Sequence, residues 1–117
     1  AFQSQTTVPE AQGVLERCMA VSGVIGAAVV NRLSGVCYGR AGAELDPDVA
    51  WAQLRTLNAV MLRESVEDGL VISRERIHVL TLVAGIPEAF AYVVCDPKHT
   101  TVATARLEVR RAVGSRE

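Results

Sequence analysis

Apolar positions fall along the chain in blocks whose period changes from block to block, and those changes predict the elements. Ala11, Val14, Leu15, Cys18 and Met19 recur at spacings of three and four, which is one stripe of a helix. Thr7-Val8-Pro9-Glu10 reads as its start. Thr7 can cap, Pro9 suits the first turn, and Glu10 lies three residues on, as a capping box requires. Ser22-Gly23 ends it. Val24–Asn31 is apolar almost throughout, short and β-branched, with no alternation. That pattern fits a central strand covered on both faces. Arg32-Leu33-Ser34-Gly35 is a turn with Gly35 available for a positive φ. Residues 36–38 read as a short return strand and 39–45 as a loop.

Asp46-Pro47 opens a second helix, expected to run to about residue 65. Ala50, Leu54, Leu57, Val60 and Met61 form its main stripe, and Trp51, Ala59 and Leu62 widen it. A helix apolar on more than one side wants a second partner. Asp68-Gly69 then opens three strands: Leu70, Val71, Ile72 and Ser73; residues 77–84; and Ala89–Cys95, the last apolar on both faces. Thr100 or Thr101 can cap a final helix whose stripe is Val102, Ala105, Val109, Ala112 and Val113. The order is α-β-β-α-β-β-β-α. The last three strands are joined too tightly for crossovers, so they pair antiparallel. Helices before, between and after them cover both faces of the sheet.

Composition narrows the function. The chain has 117 residues and 12.5 kDa, is 50% hydrophobic and 21% charged, and carries a net charge of −1. One domain over 1–117, with its core at about 9–113, is expected. Near-neutrality argues against a dedicated nucleic-acid binder or a polybasic membrane-surface protein. No apolar run approaches the roughly 18 residues of a membrane span, and no signal peptide is visible. Three widely spaced cysteines are no disulfide framework and point to a reducing, cytoplasmic setting.

Candidate chemistry is sparse. Cys18, Cys37, Cys95, His78 and His99 show none of the spacings of a metal site. Cys95 and His99 are close in sequence, but a reactive thiol needs an electropositive surround, and Asp96 would raise the Cys95 pKa. Gly23-x-x-Gly26 precedes a strand, not a helix, so it is no phosphate loop. No catalytic residue, cofactor site or metal site is expected. Arg106, Arg110 and Arg111 on the outer side of the last helix are a solvated face with Glu108 as a pairing partner, or a docking patch. Trp51 is either core or an interface anchor.

Gly23-Val24-Ile25-Gly26-Ala27-Ala28-Val29-Val30-Asn31-Arg32, followed by a glycine-containing turn, a hairpin, a long helix, three strands and a helix, resembles the roadblock/LC7 family, in its prokaryotic type. Asn31 stands where that family often has Asp. The resemblance spans roughly residues 9–113 and implies an α+β fold. Its five-stranded antiparallel sheet has the order 2-1-5-4-3, with the middle helix on one face and the terminal helices on the other. It implies a non-catalytic dimer, formed by joining third strands and packing middle helices, with Trp51, Leu54, Asn58, Met61, Leu70, Val71, Ile72 and Ser73 in the interface. The second chain is a like chain or a paralogous roadblock chain. It also implies a small Ras-like GTPase as partner, regulated or scaffolded without a donated arginine. An unpaired edge beside apolar surface is a liability unless covered, so dimerisation has a physical motive. The alternative is a small-molecule sensor of profilin-like or PAS-like shape, with Gly26, Ala27 and Ala28 leaving space for a ligand.

Overall fold

The computed structural model describes residues 9–43, 45–61 and 67–114. In the middle helix the side chains at positions 47, 50, 54, 57, 58, 60 and 61 lie outside that description. The elements are α1 (Pro9–Met19), β1 (Val24–Asn31), β2 (Cys37–Gly42), α2 (Pro47–Met61), β3 (Asp68–Ile72), β4 (Ile77–Leu82), β5 (Ala89–Cys95) and α3 (Val102–Ala112). The five strands form one antiparallel sheet in the order β2-β1-β5-β4-β3. This is the expected α+β architecture, with β1 and β5 central and β2 and β3 at the edges.

Two apolar layers hold it. On one face α1, through Ala11, Val14, Leu15 and Cys18, and α3, through Ala105, Val109 and Ala112, close over Ala27, Val29, Ile77, Val79, Ala91 and Val93. Arg17 of α1 donates from Nε to the Ala112 carbonyl at 2.7 Å. That bond satisfies a carbonyl at the C-terminal end of α3 with a cation, where the helix dipole favours one. The opposite layer is Val30, Cys37, Leu80, Phe90, Tyr92 and Val94, with Ile25 and Leu45 against it. α2 lies on that side, its Trp51 ring against Gly35. All seven residues of β5 are buried, which accounts for its apolar character on both faces.

Several strand boundaries differ from the expectation. β2 continues to Gly42, because residues 39–42 pair with β1 although Gly39 and Gly42 are weak strand formers. Ladder bonds to a buried neighbour override that local preference. Glycine is needed there for closeness. A Cβ on Gly26 would overlap the Ala43 carbonyl, and one on Gly42 would overlap the Ile25 carbonyl. The room expected beside Gly26 is therefore filled by the chain's own backbone, and Ala27 and Ala28 are fully buried. β2 begins at Cys37, not at 36, β4 ends at Leu82, short of residue 84, and β3 runs from Asp68 to Ile72, so that Ser73 lies beyond it in the turn. Thr7 and residues 62–65 of the expected second helix lie outside the described residues.

Thr101, not Thr100, caps α3. Its φ of −106° and ψ of 164° are extended, and its hydroxyl accepts from the Thr104 N–H at 3.1 Å. Gly35 takes the positive φ expected of it, 81°.

Candidate interface

Among the described residues β3 is an unpaired edge of the sheet, and its sequence leaves apolar side chains on it. Leu70 is half-buried against the α1–α3 layer, while Val71 is 38% and Ile72 59% exposed. The neighbouring Ser73 is occupied within the chain. Its hydroxyl donates to the Arg76 carbonyl at 3.3 Å and accepts from the Arg76 and Glu75 N–H groups at 3.0 and 3.3 Å. It therefore fixes the β3–β4 turn.

Asp68 ties the start of this edge to α3. Arg106 Nε and Nη2 both reach its Oδ2, at 2.9 and 2.8 Å. Oδ1 is buried and has no hydrogen-bond partner among the described residues. Arg111 lies 3.7 Å from Glu108, so two of the three arginines of α3 have carboxylate partners in the chain.

On the opposite face Trp51 is half-buried and packs on the β1–β2 turn. The Arg55 guanidinium stands 5.2 Å over its ring, a cation–π distance. Its indole N–H is buried without a partner among the described residues. The side chains of Leu54, Asn58 and Met61, expected in the same interface, lie outside the described residues, although their backbone is in α2.

A polar layer that the sequence did not reveal sits beneath α2. His78 of β4 and Tyr92 of β5 stack at 5.7 Å and 16°, with Nδ1 2.8 Å from the phenol oxygen. They are diagonal neighbours, since His78 pairs with Val94 and Leu80 with Tyr92. Burial, and after it Arg76, holds the His78 pKa below its ordinary range. Burial pushes the Tyr92 phenol up, with the Gln53 amide of α2 working the other way. Only the strand register places these groups together, so periodicity could not have found them.

The thiols are buried. Burial pushes Cys18 and Cys95 up to about 11 and raises Cys37. Burial, not Asp96, is what raises Cys95. A thiol held protonated is a poor nucleophile. Among the described residues no group of His, Cys, Asp or Glu is arranged to hold a metal ion, and no helix is long and apolar enough to cross a membrane.

The five-stranded order and the split of helices between its faces define a known fold class: the chain has the roadblock/LC7 fold. It is similar to the gliding protein MglB of Thermus thermophilus, with a TM-score of 0.68 at 16% identity, over 90% of this chain and 84% of that one. It is also similar to an MglB in a tetrameric arrangement, with a TM-score of 0.69 at 14% identity over 97% and 92%. A Roadblock/LC7 domain from Streptomyces avermitilis superposes with a TM-score of 0.57 at 13% identity, over 92% of each chain. No family model matches the sequence, and no curated protein matches it.

Proposed function

We propose that this chain is a non-catalytic dimeric regulator or scaffold that works in the cytoplasm with a small Ras-like GTPase. The observation that carries the dimer is the β3 edge, unpaired among the described residues, with Val71 and Ile72 exposed on it. An unpaired strand bearing apolar side chains is a template for another strand unless it is covered. The interface we propose joins Leu70, Val71 and Ile72 of β3 and the adjoining Ser73 with Leu54, Asn58 and Met61 of α2 and the exposed part of Trp51. The GTPase reading rests on the roadblock resemblance, and the likeness to a gliding protein directs the choice of candidates toward GTPases of motility systems. The sensor alternative is less well supported, because the chain's own atoms fill the space beside its small residues.

Light scattering on a sizing column tests the first half. A mass near twice 12.5 kDa is expected. Titration of a fluorescent-nucleotide-loaded Ras-like GTPase tests the second. Affinity that differs between the GDP and GTP-analogue forms supports the reading, and equal or absent binding across candidates removes it.

A further inference from the structure

A line of hydrogen bonds runs from β4 to α2. Tyr92 of β5 is 2% exposed, so its hydroxyl must find partners inside the protein. It has two: Nδ1 of His78 at 2.8 Å and the side-chain amide of Gln53 in α2. Gln53 Oε1 is buried and has no hydrogen-bond partner among the described residues, so the amide meets Tyr92 through its N–H. The Tyr92 oxygen therefore accepts from Gln53. Its own hydrogen goes to His78 Nδ1, and the neutral imidazole carries its hydrogen on Nε2.

The direction of these bonds makes them sensitive to one proton. His78 is half-buried, and its free lone pair is the one that accepts from Tyr92. A proton added to Nδ1 turns that acceptor into a donor and sets it against the Tyr92 hydrogen. To keep both bonds, the phenol must accept from His78 and donate to Gln53, which requires the amide to turn and offer Oε1. The unpaired oxygen that α2 buries there is the acceptor this second state needs. The charges around the ring are few. Burial, and then Arg76 of the β3–β4 turn, oppose the added proton. β3 places Val71 opposite His78, and β5 places Val94 and Tyr92 beside it. Ahead of α2, Asp46 acts on Tyr92. The charged residues of α2 itself are Asp48 in its first turn and Arg55, which stands over Trp51.

We propose that His78, Tyr92 and Gln53 form a proton-operated coupling that sets how α2 is seated on the sheet: neutral His78 holds the helix through Tyr92 and Gln53, and protonated His78 breaks that hold. The local event is a change of donor and acceptor at one nitrogen, and the element it biases is the helix that Gln53 belongs to. Neither the strand register nor the unpaired oxygen depends on a second copy of the chain. In the interface proposed above, acid would change the surface that α2 offers.

The chain carries its own probe. Its one tryptophan, Trp51, lies on α2 against Gly35, so its emission reports the seating of the helix. Followed from about pH 8 to about pH 5.5, the parent's emission is expected to shift in a single step, its midpoint below the ordinary histidine value of 6.5. Carboxylates with ordinary values, near about 4, titrate below that window. The step is expected to be lost in His78→Gln, in Tyr92→Phe and in Gln53→Ala, with folding checked by circular dichroism. In Gln53→Ala the His78 ring, followed by proton NMR, is expected to titrate still, so that the proton arrives and the helix no longer answers. Parent emission that stays flat across the window overturns the coupling. So does a step that survives in full in His78→Gln, which assigns it to another group. A full step in Gln53→Ala overturns it as well, because the helix then senses the proton by another route. If His78→Gln or Tyr92→Phe fails to fold, Gln53→Ala decides, with the His78 ring signal identified by its persistence in His99→Gln.

Discussion

Gly35 carries a φ of 81°, and a Cβ there would run into the Trp51 ring. Both features oppose any other residue, the first through backbone strain and the second through the ring that α2 lays on the turn. Gly35→Ala is expected to cost more than about 1 kcal/mol in urea unfolding. A change within a few tenths would show that the turn and α2 do not bear on each other. Beside it Asn31 uses both ends of its amide. Oδ1 accepts from the Leu33 and Ser34 N–H groups at 2.8 and 2.9 Å, and Nδ2 donates to the Tyr38 hydroxyl at 2.9 Å. An aspartate could form the two accepted bonds but has no N–H for the third. His78 gives the residue scale its pH dependence. Its folded pKa is depressed by burial and then by Arg76, below the ordinary 6.5. As pH falls below about 6.5 the unfolded chain binds the proton first, so stability declines until the folded pKa is passed. The melting temperature should drop between about pH 7.5 and 5.5, and His78→Gln should remove part of that drop. An identical drop in the variant would assign the dependence to other groups.

At the scale of elements, α3 shows how local signals and long-range contacts divide the work. Its N-terminus is set locally by Thr101, and Thr101→Ala should cost about 1 kcal/mol while Thr101→Ser costs little, both read by urea unfolding. Equal losses in the two variants would mean that the methyl group matters and the cap does not. Its other end is held from a distance by Arg17, which no pattern in the chain indicates. The same division decides what was legible beforehand. Val24–Asn31 announced itself because a short, nearly unbroken apolar run with β-branched residues at both ends fits a strand buried on both faces. Residues 39–42 did not, because Gly-Arg-Ala-Gly has no strand character of its own and becomes a strand only by pairing with β1. Asp68 read only as the opening of the strand run, whereas its carboxylate holds Arg106 at a sequence distance of 38. The exposed apolar residues of β3 could be named from sequence as soon as the strand order was known. The His78–Tyr92 layer and the Trp51–Gly35 contact required the register itself.

For the whole molecule, the asymmetry of the sheet matters most. At the β2 edge, α1 packs alongside: a Cβ on Gly39 would touch Leu15 and approach Gln12. β3 has Arg106 at one end, the Ser73 turn at the other, and Val71 and Ile72 exposed between them. If the folded chain dimerises and the unfolded chain does not, association stabilises the fold by mass action, and the melting temperature must rise with protein concentration. A chain folding alone has a melting temperature independent of concentration. A hundredfold concentration series in a scanning calorimeter should therefore show a steady rise for the parent. Val71→Lys with Ile72→Lys places charge on the edge without removing a buried side chain, since both residues are exposed. That variant should melt at one temperature throughout the series, close to the parent's value at its lowest concentration. If the parent were also flat, β3 would be an edge that the molecule tolerates uncovered. If the variant still rose with concentration, the molecule would associate through another surface, and α2, with its cation-capped Trp51, would be the next place to introduce charge.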